Sequence, residues 1–448
     1  MGAENDIIIA VELASTAVRA IAGRKEPDGS MRVLEFVQEE SPNTIRKGVI
    51  DNIDRTTQAI SRVVSTLSNR LKHKVNCVYV GLGGQSLRAV QNRVLLQFDG
   101  RELISHKIID KMRDTNSGVV YPNAEIKEVV AQEYTLGTRQ VVDPVGTQAD
   151  ALEANFLNII ARSTLEENIR ECVQRAGLEV ADVFLSPICA ADALLSFNEK
   201  RSGCALLDIG AETTTVCVYS NNILRHLCVI PLGGFNVTSD ITSLKVEAEE
   251  AEQLKCKYGT AYRPDEEEDG ENDREISLSF NRKEKESNLQ EIVEARYEEI
   301  IVNVWHHISS FADSLLSGIV VTGGASRIPD LDKAFARLTG SNLNVRLCTS
   351  FPDNISIPAS VTLGEPDRLS TICGLLLAGK DNCVGDAPKS PQGDLFETSE
   401  QAAQKKEEEE AQAQASEQEK ASESKPSVLS RIWKSLEGLL SEPDDDRD

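Results

Sequence analysis

Two acids stand out by what surrounds them. Glu12 follows the apolar run 7–11 and precedes Leu13, Ala14, Ser15 and Thr16, after which residues 18–22 alternate. Asp208, 196 residues later, follows the apolar run 205–207. It precedes Ile209, Gly210, Ala211, Glu212, Thr213 and Thr214, and a second strand-like run occupies 216–219. Each segment reads as strand, acid, turn of small residues, strand. Such a turn exposes consecutive backbone N–H groups that suit phosphate oxygens. An acid at the strand end can hold a hydrated Mg2+ on those phosphates. Either segment alone is weak evidence, because acids before turns are common. The pair is stronger: two such hairpins facing each other would clamp a polyphosphate, and the duplication implies two related half-domains.

Two Gly-Gly sites follow. Leu232, Gly233 and Gly234 end one strand and open a helix, while Gly323, Gly324, Ala325 and Ser326 follow the strand 319–322 and lead to a helix over 330–339. Glycine permits close approach to the backbone, and a helix N-terminus favours anionic or polar groups. Between them Glu252 and Lys255 lie three apart on a predicted helix and share a face. Taken on its own, that helix reads first as a solvated charged surface.

These elements need a body to position them. The chain has 448 residues, 40 % hydrophobic and 27 % charged, which suffices for a sizeable core of about three structural units. Residues 6–383 read as mixed α/β. Net charge is −24 and no basic patch occurs, which argues against a nucleic-acid partner. Ten cysteines occur singly, without C-x-x-C, and read as buried thiols in a reducing compartment. The five histidines show no metal or nucleophile arrangement; His306 and His307 fall in a long helical pattern and read as structural or exposed. Residues 263–287 read as an exposed hairpin or loop with solvated ends. The start of the chain has no basic region and Asp6 breaks the myristoylation pattern, and no run of 18 apolar residues exists, so a cytoplasmic address is expected.

The order of two phosphate hairpins, connecting helices and a Gly-Gly site resembles the actin, sugar-kinase and heat-shock-chaperone ATPase superfamily. Within it residues 6–380 most resemble the bacterial cell-division FtsA family. The resemblance is carried by Gly48-Val49-Ile50-Asp51, Asp143-Pro144-Val145-Gly146, Ser186-Pro187-Ile188-Cys189-Ala190-Ala191, and Leu232-Gly233-Gly234-Phe235-Asn236-Val237-Thr238-Ser239-Asp240. It is carried further by Ala251-Glu252-Gln253-Leu254-Lys255 with Tyr258-Gly259, Ala295-Arg296-Tyr297-Glu298-Glu299-Ile300 and Val320-Val321-Thr322-Gly323-Gly324-Ala325.

The resemblance implies an actin-like α/β ATPase fold: two lobes around a nucleotide cleft. The first lobe would comprise 1–84, 166–199 and 345–383, the second 200–344, and an FtsA-type inserted subdomain 85–165. ATP would be held by both hairpins, with Mg2+ at Glu12 and Asp208. Phosphates would meet Ala14, Ser15, Thr16, Gly210, Ala211, Glu212 and Thr213, beside Gly233 and Gly234. Glu252 and Lys255 would border ribose and adenine, and Gly323, Gly324, Ala325 and Ser326 would lie against adenosine. Arg296 lies in the helix where, in the family, the tail of the tubulin-like FtsZ docks; it reads equally as a solvated arginine beside Glu299. The superfamily pattern has Asp where this chain has Glu12 and Gly where it has Ala14. Binding is expected to survive both changes, fast hydrolysis is not, and no water-activating base is identified, so at most a slow ATPase is expected.

Residues 384–426 are rich in Glu, Gln, Ala, Ser, Lys and Pro and read as a disordered acidic linker. The tail from 381 onward holds 18 acidic against 8 basic residues. Residues 427–441 then read as an amphipathic helix capped by Ser427, with Val428, Leu429, Ile432, Trp433, Leu436, Leu439 and Leu440 in one stripe flanked by Arg431 and Lys434. Docking on the body, a partner groove and an anionic membrane interface compete; the isolating linker disfavours the first, and the apolar stripe with Trp433 favours the last. The FtsA resemblance strengthens it, since family members end in a membrane-targeting helix. Together these imply a cell-division protein that polymerises on the inner face of the membrane at the division site and tethers FtsZ filaments there, among other divisome partners. The rivals are an ATP-turnover enzyme of the same fold, such as a sugar kinase or chaperone ATPase, and an actin-like pilus-assembly scaffold.

Overall fold

The run 7–11 is buried on both faces, which an isolated hairpin cannot achieve, so its sheet must be covered on two sides. In the computed structural model, which describes residues 6–41, 43–264 and 274–385, strand Ile7–Leu13 is central in a six-stranded sheet. It pairs antiparallel with Ala17–Lys25 and parallel with Cys77–Leu82. Met31–Glu40 and Ile355–Ser356 extend one side, Glu179–Leu185 the other. Helices Ile53–Leu71 and Ser163–Arg175, and helices Ser186–Leu194 and Ser370–Ala378, pack on it. The Ile53–Leu71 helix starts where Asn52 accepts a hydrogen bond from the Arg55 N–H. Its Ala59, Ile60, Val63, Val64 and Leu67 form the buried stripe.

The same pattern recurs. Cys204–Ile209 pairs antiparallel with Thr214–Ser220 and parallel with Ile319–Thr322, and Ile223–Ile230 follows antiparallel. Hairpin, third antiparallel strand and parallel partner thus occupy the same places in both sheets. The expected duplication is a duplication of sheet order. Strand alternation splits the second sheet between two cores. Leu206, Cys217, Leu227 and Val229 join the core of the first lobe, while Leu207, Val216, Val218 and Cys228 pack towards the core that contains helix Glu286–Ile308.

The second sheet extends further than its own lobe. Val345–Leu347 pairs with Ile319–Thr322, so the sheet runs past residue 344. On the other side, one pair, Cys228 with Arg88, joins it to the long strands Arg88–Leu103, Gln148–Ala161 and Glu125–Leu136. These have a core of their own around Met112, Leu152 and Phe156, roofed by helix His106–Ser117.

Residues 263–287 differ from expectation. Glu275–Leu278 and Arg282–Lys285 do form a hairpin, but Ile276 and Leu278 are buried in the second lobe's core. The alternation of that short run signals one buried face. Of the ten cysteines, all unpaired, eight are buried; Cys77 is half-buried and Cys256 exposed. No helix among the described residues is long and apolar enough to cross a membrane. Val384 and Gly385 are still hydrogen-bonded to the body, through Val75 and Lys74. The rest of the expected linker and the 427–441 helix lie outside the described residues.

Candidate functional site

In the first hairpin the Ala14 N–H donates to the Ala17 carbonyl at 3.0 Å, which closes the turn. Register sets Glu12 opposite Arg19 on the neighbouring strand. Their largely buried side chains pair, Nη1 to Oε2, at 2.9 Å. Arg19 Nε is buried without a hydrogen-bond partner among the described residues. The Thr16 carbonyl accepts from the Ser41 N–H at 3.1 Å.

Asp208 sits one residue from the end of Cys204–Ile209, between Thr215 and Thr322 on the flanking strands. Burial, reinforced by the negative charge of Glu12 and opposed by Arg19, pushes its carboxyl up to about 7. The two acids therefore share one electrostatic environment. Only Glu12 has a cation bonded to it; Asp208 has no donor to its carboxylate among the described residues.

The second turn is closed by the Gly210 N–H donating to the Thr213 carbonyl at 2.8 Å. The Gly234 and Phe235 N–H groups at the start of helix Gly234–Ile241 donate to the Gly210 and Ala211 carbonyls, at 2.9 and 2.6 Å. A Cβ at Gly233 would stand 2.6 Å from the Gly210 oxygen, so the helix can seat on the turn only with glycine there. Gly323 is held at φ +91°, and a Cβ there would meet Asp208 Oδ1 at 2.4 Å. Ser326 Oγ donates to the Gly323 carbonyl at 2.7 Å, and Tyr297 Oη to that of Ala325 at 2.7 Å. Beside Gly324 lies the Arg368 side chain.

Lys255 does not lie on a solvated surface, although Glu252 beside it does. Lys255 is buried, and its Nζ donates to the Gly234 carbonyl at 3.1 Å, Thr238 Oγ1 at 2.9 Å and Glu252 Oε2 at 2.6 Å. Burial works against ionisation of Glu252, but the bonds from Lys255 and Thr238 outweigh it and hold its carboxyl below the usual range. Half of the Glu252 side chain stays exposed.

One loop touches both hairpins. The Lys47 N–H donates to Glu212 Oε2 at 2.5 Å and the Gly48 N–H to Ser15 Oγ at 3.4 Å. The structure thus gathers Asp208, both turns, both Gly-Gly sites and the Lys255–Glu252 pair into connected geometry.

Two family models match. "Cell division protein FtsA" covers residues 205–366, and "SHS2 domain inserted in FTSA" covers 84–160. The cell division protein FtsA of Neisseria meningitidis serogroup B is 30 % identical over 402 residues, spanning 87 % of this chain and 94 % of that one. The chain belongs to the FtsA family. The FtsA of Porphyromonas gingivalis agrees, at 29 % identity over 86 % of this chain and 80 % of its own. Among solved structures, the PilM-PilN type IV pilus biogenesis complex superposes with a TM-score of 0.58, covering 83 % of this chain and 97 % of that chain at 14 % identity. That likeness is one of fold. As an FtsA family member, the chain is an actin-like cell-division protein.

Arg296 is not a free solvated arginine. Its guanidinium clasps Asp240 on helix Gly234–Ile241 at 2.6 and 3.0 Å and also bonds Glu299. These residues line an open groove of about 530 Å³ with Ser239, Ser243, Ile292 and Ala295.

Sequence reasoning missed two features of this FtsA chain. Arg19 could have been found: it is the one charged residue between Ala17 and Gly23, all otherwise buried apolar positions. The second is a cluster of His226, Cys228 and His307, which corrects the expectation that no histidine takes part in a metal-like arrangement. His306, as expected, is exposed.

Proposed function

We propose that this FtsA family member binds Mg2+-ATP between its two hairpins and uses it to favour assembly at the membrane. The observation that carries this is Asp208: a shielded carboxylate without a donor, beside Gly323 and facing the Glu12–Arg19 pair. A hard divalent cation takes oxygen ligands and tolerates such a site. Mg2+ would supply the charge that neutralises the phosphates. Asp208 would be its carboxylate, and Glu12, expected beside it at the metal but bonded to Arg19, would instead steady that arginine towards phosphate.

Residues 14–16 and 210–213 offer N–H groups to phosphate oxygens. Glu252 and Lys255 bound the ribose and adenine, with Lys255 holding the Gly234 turn, and residues 323–326 form the adenosine wall. The loop at Lys47 and Gly48 senses both hairpins. Glu12 and Ala14, where the superfamily pattern has Asp and Gly, favour a nucleotide-gated scaffold with slow turnover.

Family membership supports the remaining assignments. The groove at Arg296 takes the FtsZ tail, the body forms filaments, residues 386–426 act as a linker reaching roughly 35 Å, and the 427–441 helix lies on anionic lipid at the division site. The domain limits expected from the sequence serve as the working division of the chain, with Val345–Leu347 moved to the second lobe whose sheet it extends.

Titration calorimetry tests the nucleotide claim. Asp208→Ala is expected to weaken Mg2+-ATP binding at least ~10-fold while leaving binding of an FtsZ-tail peptide in place. Unchanged ATP affinity in that variant would remove Asp208 from the site.

A further inference from the structure

We propose that His226, Cys228 and His307 form a Zn2+ site that ties the Ile223–Ile230 strand to the Glu286–Ile308 helix. His226 and Cys228 are two apart on one strand, so both project from the same face. That face also carries Val216 and Val218, their register partners, and looks onto the core containing the helix. His307 comes from the last turn of that helix.

The geometry fits a tetrahedral ion. His226 Nε2 and His307 Nδ1 are 3.3 Å apart. Zn–N bonds of ~2.0–2.1 Å in a tetrahedron set neighbouring nitrogens about 3.3–3.4 Å apart. The Cys228 sulfur completes a triangle whose donor atoms all lie within 4.8 Å of one another. A shift of at most about 1 Å, within reach of a side-chain rotation, brings it to the ~3.6 Å expected of a Zn–S bond of ~2.3 Å beside Zn–N. The thiol is buried and has no hydrogen-bond partner among the described residues, so nothing must be broken to recruit it. Both imidazoles are half-buried, which leaves a way in for the ion and a fourth position for water.

Two imidazoles and a thiolate suit Zn2+, whereas carboxylate and water sites suit Mg2+. Binding is balanced as follows. The thiol gives its proton to solvent and its sulfur lone pair to the metal. His226 takes the Nδ1–H tautomer and His307 the Nε2–H tautomer, so that the two facing nitrogens present lone pairs. Without metal those nitrogens share a hydrogen bond, so ion binding exchanges one contact for three bonds. The helix so fixed is the one that carries Arg296, eleven residues earlier.

The test uses the full chain, stripped with chelator and titrated with Co2+. The expected result is one equivalent showing thiolate-to-cobalt charge transfer, displaced by Zn2+. The Mg2+ site, built from carboxylate, gives no such band. Cys228→Ser should abolish it and His307→Gln should weaken Co2+ binding by more than ~10-fold. Cys256→Ser, which removes the exposed thiol, should leave it unchanged. Zn2+ should also raise the unfolding temperature of the parent chain but not of Cys228→Ser, with matching circular dichroism showing that both fold. Absence of the band in the parent chain, or a band that survives Cys228→Ser, would overturn the proposal.

Discussion

Asp208 carries a carboxyl that titrates near neutrality, and this has two consequences of opposite sign. Between its ordinary value of 3.8 and about 7 the folded chain holds a proton there that the unfolded chain has lost. Ligand-free stability therefore falls as pH rises through that window, and Asp208→Asn should flatten the dependence, measured by denaturant unfolding at several pH values. The same proton competes with Mg2+. Affinity for Mg2+-ATP should drop up to ~10-fold for each pH unit below 7 in the parent chain. Arg19 makes a different prediction. Arg19→Ala strands Glu12 in a largely buried position, so the chain should lose about 3 kcal/mol of stability as well as nucleotide affinity. At Gly323 the obstacle is steric and conformational together: alanine would strain a positive φ and press on Asp208. Gly323→Ala should abolish ATP binding in calorimetry even where the variant folds.

At the scale of elements, the two hairpins were legible because apolar runs, an acid and small residues make a local signal. The helix starts at Gly234 and after Ser326 were legible for the same reason. What escaped was contact between distant segments. Nothing near Lys255 in the sequence shows that it meets the Gly234 carbonyl and lies buried. Arg296 could not be seen to clasp Asp240, 56 residues away. The His226–His307 pair spans 81 residues and arises only once helix meets sheet. The hairpin around Ile276 shows the limit in reverse. Its charged flanks outweighed its alternation in the reading, yet tertiary packing buries one face. Ile276→Asp should cost about 3 kcal/mol or more, whereas Ser277→Asp, on the exposed face, should stay within about 0.5 kcal/mol of the parent in chemical denaturation.

For the whole molecule, the matching sheet orders of the two lobes bring an acid from each into one electrostatic environment, and the proposed nucleotide site draws one hairpin from each lobe. Nucleotide held there bridges the lobes and favours the closed form only if it binds that form better. The apolar stripe of residues 427–441 is flanked by Glu442 and Asp444–Asp446, whose charges anionic lipid repels, so one copy should bind weakly. Many copies on a filament gain avidity of ~10²-fold or more. The most direct test is sedimentation with anionic vesicles, with and without Mg2+-ATP, of the full chain and of a chain ending at Lys425. The account predicts that the full chain pellets with lipid, more strongly with nucleotide, and that the shortened chain stays in solution. Equal lipid binding by both chains, or full-chain binding indifferent to nucleotide, would contradict it.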